Sequence, residues 1–236
     1  MHLHETGRWM VTSPLTGLLL TLLAYAVGRW VYQRTGGHPV AQPVLVAIVL
    51  VSTVLLTLRV SYADYLHGAS YVGFWLGPAT VALALPLHHE LDRVRRSALP
   101  VLIGVLAGAF TSVTSALLVT RWFGGDRLLQ LTMAPKAATT PVSVAISERI
   151  GGLASLTAVL TILAGITGAV AGPWLLTRVG VRDPRARGIA LGAASHGIGT
   201  ARALHESATE GAFSALSMAL TALATSLVVP LLLLFL

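Results

Sequence analysis

The chain has 236 residues, 55% of them hydrophobic and 11% charged, with a formal net charge of +7 and a mean hydropathy of +0.78. Soluble domains carry about a quarter charged residues, so soluble, disordered and fibrous classes are excluded. In so apolar a chain the basic excess reports membrane orientation rather than nucleic-acid binding. With no cysteine, disulfides, thiolate metal sites and cysteine nucleophiles are excluded as well.

In chain order, Met1–Arg8 is a short polar lead with no basic region of the secretory kind. The apolar run after it is expected to be retained as a helix. A crossing needs about 20 mostly apolar residues. Stretches free of Asp, Glu, Lys and Arg occur at Trp9–Gly28, Thr35–Leu58, Tyr65–His89, Ser97–Thr120, Gly151–Thr177 and Gly211–Leu236. Leu128–Ser147 is interrupted only by Lys136, and Gly188–Ala201 is short. These segments fill the chain, so 1–236 reads as a single all-α membrane domain.

Arginines in short loops set the orientation. Arg29 and Arg34, then Arg93, Arg95 and Arg96, then Arg178, Arg182, Arg185 and Arg187 mark three cytoplasmic loops. His205–Glu210, acidic and without a cation, is expected outside. The last two arginine loops share a side only if one segment between them fails to cross. Leu128–Ser147 is that segment, because Pro135 and Pro141 break a helix there. The expectation is seven transmembrane helices plus a re-entrant element over 128–147, with the N-terminus outside and the C-terminus inside.

Leu76-Gly77-Pro78-Ala79-Thr80 and Leu191-Gly192-Ala193-Ala194-Ser195 match as L-G-x-A-[ST]. Each sits inside a three-segment unit, 43–122 and 152–236, and on this topology the two units are inverted repeats with discontinuous helices. Such breaks mark secondary transporters, with the substrate site near the midplane. Irregular backbone survives in a membrane only where it is buried or lines a cavity. Gly77, Pro78, Thr80, Pro135, Pro141, Gly197 and Gly199 are the residues that would shape the breaks.

Lys136 is the only lysine and stands in an apolar stretch beside Thr139 and Thr140. An intramembrane cation marks a functional site by default, although a lysine can also snorkel to the interface. The second cluster holds Ser195, His196 and Thr200, with an imidazole able to titrate near neutral pH. Ser195 and His196 are adjacent and lack an orienting acid, so they do not make a hydrolase triad; no enzyme activity is expected. His88-His89-Glu90 reads as a solvated helix end, and no metal or cofactor is expected. Lys136, Thr139, Thr140, Ser195, His196 and Thr200 therefore form the candidate site, cationic and hydroxyl-rich, for a small anion.

The segments Leu76–Ala84, Pro135–Pro141, Gly151–Ala158, Asp183–Gly188, Ala194–Leu204 and Glu210–Ser214 together resemble the LrgB/CidB family from about Pro39 onward. Ala137 departs from the family pattern, which has serine there. The resemblance implies two functions. One is a holin- or antiholin-like regulator of murein hydrolase activity and cell lysis. The other is a secondary transporter of small 2-hydroxy or 2-oxo monocarboxylates of the glycolate, glycerate, pyruvate and lactate class, as in a related plastid translocator. It also implies a small LrgA/CidA-type membrane partner. The residues favour the transporter, working by alternating access in a bacterial plasma membrane, with H+ or Na+ as coupling ion and a homo-oligomeric assembly.

Overall fold

The computed structural model describes residues 13–36, 41–75, 78, 81–82 and 88–234. Among them the chain is all-helical. It divides into two compact units, Met1–Ala82 and Leu83–Leu236.

The first unit holds α1 (Pro14–Arg34), α2 (Pro43–Leu58) and α3 (Tyr62–Phe74). Pro14 and Pro43 open their helices, where a missing N–H costs nothing. Ser61 caps α3 by accepting from the Asp64 N–H at 3.1 Å. Small residues let these backbones approach. Gly17 meets the Tyr65 carbonyl and the Gly68 backbone, and Gly28 meets the Pro43 carbonyl. A hydrogen bond of 2.8 Å joins the Thr21 and Tyr65 hydroxyls across α1 and α3.

The second unit holds α4 (Leu91–Arg96), α5 (Ala98–Trp122), α6 (Arg127–Met133), α7 (Thr140–Ile150), α8 (Ala154–Arg178), α9 (Pro184–Glu206) and α10 (Ala208–Leu233). Helices α1, α5, α8 and α10 are long and apolar enough to cross a membrane. The protein is a multi-pass membrane protein.

Two segments of the second unit fold back on themselves. The first is 127–150, which the prolines mark in advance. Asp126 caps α6 through the Leu129 N–H at 2.8 Å, the chain turns through 134–139, and α7 runs back. Past the left-handed Gly151, Leu153 N–H reaches the Thr132 hydroxyl at 3.0 Å.

The second is α9. Held straight, 23 residues would run about 35 Å. Instead His196 has φ 40° and ψ −134°, and the helix turns back there. A Cβ placed on Gly199 would lie 2.6 Å from the Leu191 carbonyl oxygen, eight residues earlier. Gly192 and Thr200, one on each arm, both touch Ser214 of α10. At the open end Arg187 Nε lies 3.4 Å from Glu210 Oε2, and Gly188 meets the Glu210 carbonyl.

This corrects two sequence expectations. The break expected around Gly197 and Gly199 is present, at His196, but the chain turns back there instead of crossing. His205–Glu210 does not lie away from the arginines, because Glu210 is paired with Arg187 itself. That end also gathers Ser97, 3.4 Å from Arg185 Nη1, so the loops before α5 and before α9 share a side, as expected.

Candidate functional site

The first hairpin tip is 134–139. Its backbone closes on itself: Lys136 N–H donates to the Met133 carbonyl at 3.2 Å and Ala138 N–H to Pro135 at 3.0 Å. Ser143 Oγ donates to the Pro135 carbonyl at 2.7 Å and lies 3.1 Å from that of Ala138. Ala134, Ala137 and Ala138 are buried. Lys136 is half-buried and donates from Nζ to Ser112 Oγ of α5 at 3.1 Å. Its ammonium therefore points into the helix packing. Thr139 is the N-cap of α7 and makes no side-chain cap bond, and Pro141 is exposed.

The second tip is Ser195–Gly197. His196 Nε2 donates to the Thr161 carbonyl of α8 at 2.9 Å. A carbonyl only accepts, so Nε2 carries the proton. Gly165 makes room for the ring: a Cβ there would meet the imidazole at 2.5 Å. Ser195 Oγ abuts Gly168, also on α8, and has no hydrogen-bond partner. Thr200 Oγ1 donates to the His196 carbonyl at 2.9 Å and lies 3.0 Å from Ser214 Oγ. Gly199 lets the two arms touch, while Gly197 is exposed, near the Met218 sulfur.

The two tips converge on the middle of the long helices. On α5, Gly104 and Gly108 face Ile189 and Ala193 of the second hairpin, and Ser112, one turn further, faces Lys136. Positions 104, 108 and 112 share one helix face. On α8 the same order runs in reverse. Thr157 bonds the first hairpin at Ser147 and Thr132, Thr161 bonds His196, and Gly168 and Gly172 face Ser195 and Leu191. The return arms, α7 and 197–206, each begin at a tip, so both direct a positive helix end there.

Of the six expected site residues, Lys136, Ser195 and His196 stand at this convergence. Thr139 and Thr140 open α7 beside it. Thr200 serves instead to fasten the returning arm to α10. Gly77 and Thr80 lie outside the described residues, and Pro78 is exposed. Sequence reasoning missed Ser112, which accepts from Lys136, and Thr161, whose carbonyl accepts from His196. Their signal was present as hydroxyls spaced three and four residues apart on apolar helices. Among the described residues no three His, Asp or Glu side chains gather to hold a metal.

Cavities lie elsewhere too. One of about 500 Å³ in the first unit is lined by residues such as Thr21, Tyr25, Ser52 and Tyr65. Another of about 420 Å³ runs between α7 and α10, from Pro141 to Pro230. Neither includes Lys136 or His196.

The LrgB-like family model matches residues 21–235. The chain belongs to the LrgB-like family. Among its LrgB-like relatives, an uncharacterized protein YxaC of Bacillus subtilis is 37% identical over 214 residues, 91% of this chain and 93% of that one. The antiholin-like protein LrgB of the same organism is 31% identical over 218 residues, covering 92% and 94%. The antiholin-like protein LrgB of Bacillus cereus strain B4264 is 29% identical, covering 92% and 95%. No solved structure matches.

Proposed function

We propose that this LrgB-like chain acts as an antiholin-like membrane protein of the bacterial plasma membrane, modulating murein hydrolase activity and cell lysis together with a small LrgA/CidA-type partner. The observation that carries this reading is the nearly full-length similarity to relatives named antiholin-like protein LrgB. It makes and breaks no covalent bond. Deleting the gene should alter zymogram murein hydrolase activity and autolysis, and restoring it should reverse both. Unaltered autolysis and hydrolase activity in the deletion strain would sink this reading.

A second reading rests on a separate observation, the cation and two positive helix ends gathered at the hairpin tips. On it the chain is a secondary transporter of small 2-hydroxy or 2-oxo monocarboxylates, driven by H+ or Na+, with access alternating as one repeat moves against the other. The inverted repeat is then read within the second unit, as hairpin plus span over 127–178 and again over 184–233. Gly152 and Ser155 in the first copy stand 59 residues before Gly211 and Ser214 in the second, and Glu148 stands 58 before Glu206. The arginine-rich end, with Arg178, Arg182, Arg185 and Arg187, faces the cytoplasm. A lysis phenotype would follow indirectly, from altered overflow-acid metabolism.

Proteoliposomes holding the chain alone separate the two. Transport predicts saturable uptake of labelled glycolate or pyruvate, abolished by Lys136→Glu at normal protein levels. A purely regulatory protein predicts no saturable flux, or leakage of unrelated solutes.

A further inference from the structure

A threonine in a membrane helix ordinarily donates its hydroxyl to the carbonyl one turn back. This chain does so repeatedly: Thr132 to Leu128 at 2.7 Å, Thr177 to Pro173 at 2.8 Å, Thr200 to His196 at 2.9 Å. Thr161 of α8 and Thr221 and Thr225 of α10 break that habit. All three are fully buried, with 0% exposure, and none of their hydroxyls has a partner. A buried hydroxyl without a partner costs free energy that the ordinary bond would recover.

Their places explain the exception. On α10, Ser214 and Met218 meet the second hairpin at Gly192, Gly197 and Thr200. Val229 packs with Ala134 and Ile146 of the first. Positions 214, 218, 221, 225 and 229 recur at three- and four-residue spacing along one face. Thr221 and Thr225 therefore fall in the interval between the two hairpins. On α8, Thr161 falls in the same interval, between Thr157 on the first hairpin and Gly165 against the second. Ser195, another partnerless hydroxyl, stands on the second tip itself, and a fifth, Thr114, lies on α5 two residues past Ser112.

We infer that Thr161, Thr221 and Thr225 form the hydroxyl wall of an anion site between the hairpin tips, and that they select a ligand carrying its own hydroxyl group. This rests on the transport reading and adds the specificity determinants to it. The division of labour is chemical. Lys136 and the N–H groups at the two helix starts only donate, and suit a carboxylate. A threonine hydroxyl both donates and accepts, and so pairs with a hydroxyl on the ligand. A site built to bond a ligand hydroxyl discriminates against the analogue lacking it, because its own polar groups are then left unpaired.

The test uses the full chain in detergent and in proteoliposomes. Thr221→Val and Thr225→Val, singly and together, are nearly isosteric and remove only the hydroxyl. Thermal stability without ligand, ligand-induced thermal shift, and uptake are measured with glycolate against acetate and with lactate against propionate. The expected result is that the valine variants are as stable as the parent or more so, and that the parent's preference for the hydroxy acid, about tenfold, falls towards one. Stability lost with the preference retained would overturn the inference, because the hydroxyls would then be structural. A parent that binds hydroxy acids selectively but moves none would remove transport and leave the site standing. A parent that binds none of the four acids would overturn the site itself.

Discussion

The hairpin over 127–150 turns through residues 134–139, whereas the one over 184–206 turns at His196 alone. The first is built from residues that cannot continue a helix, Pro135 and Pro141, and its turn satisfies its own backbone. The second contains no proline near its turn. It places a histidine at positive φ, a region where a side chain costs about 1–3 kcal/mol of strain. It offsets that cost from outside, with the imidazole bonded to α8 and the two arms clasped by α10. One turn is thus written locally and the other is imposed by its neighbours.

The largest expected effect lies at the open end of the second hairpin, where no counterpart exists in the first. Arg187 and Glu210 are both largely buried, with side-chain exposures of 13% and 5%. Arg187→Ala leaves Glu210 without its partner and should cost about 3–5 kcal/mol, measured by thermal unfolding in detergent. A loss under about 1 kcal/mol would mean that the ion pair does not hold the hairpin shut.

His196 comes next and sharpens the contrast directly. His196→Ala keeps the strain and loses the ring's bond. His196→Gly loses the same bond but frees the backbone, so it should be the more stable of the two by about 1 kcal/mol. Equal stability would argue that the turn does not sit at positive φ. In the first hairpin no such ordering exists, because Lys136 is not at positive φ.

The smallest effect is at the entry to α9. Asp183 caps the helix through the Arg185 N–H at 2.9 Å and pairs with its guanidinium. The hydrogen bond from the Arg185 side chain holds the Asp183 carboxyl below its ordinary range. The folded pKa is thus lower than the unfolded one, so this stabilisation is full above the ordinary aspartate range and fades as pH falls through the folded value. Asp183→Asn should flatten that part of an acid titration of stability. An unchanged acid limb would assign it elsewhere.

The same contrast decides how much was legible in the sequence. The long apolar helices follow from composition: the runs at Ser97–Thr120, Gly151–Thr177 and Gly211–Leu236 lie close to α5, α8 and α10. The first hairpin was readable because proline and lysine are costly in a spanning helix. The second was legible only as a break around Gly197 and Gly199 in a segment still taken to cross, because only contacts with α8 and α10 turn the chain back. That error also misplaced His205–Glu210. Lys136, Ser195 and His196 stood out as polar residues in apolar surroundings. Thr161, Thr221 and Thr225 did not, since a threonine in a membrane helix usually spends its hydroxyl on its own backbone.

The central claim is that two hairpins enter from opposite ends and meet in the middle, and the absence of native cysteine makes it directly testable. Single substitutions Arg182→Cys and His205→Cys bracket the second hairpin; Arg127→Cys and Glu148→Cys bracket the first, and all four positions are exposed. Labelling with an impermeant maleimide in right-side-out and inverted vesicles reads the side of each. The account predicts that positions 182 and 205 label together from the cytoplasmic side, and that 127 and 148 label together from the other. Positions 182 and 205 labelling from opposite sides would contradict it.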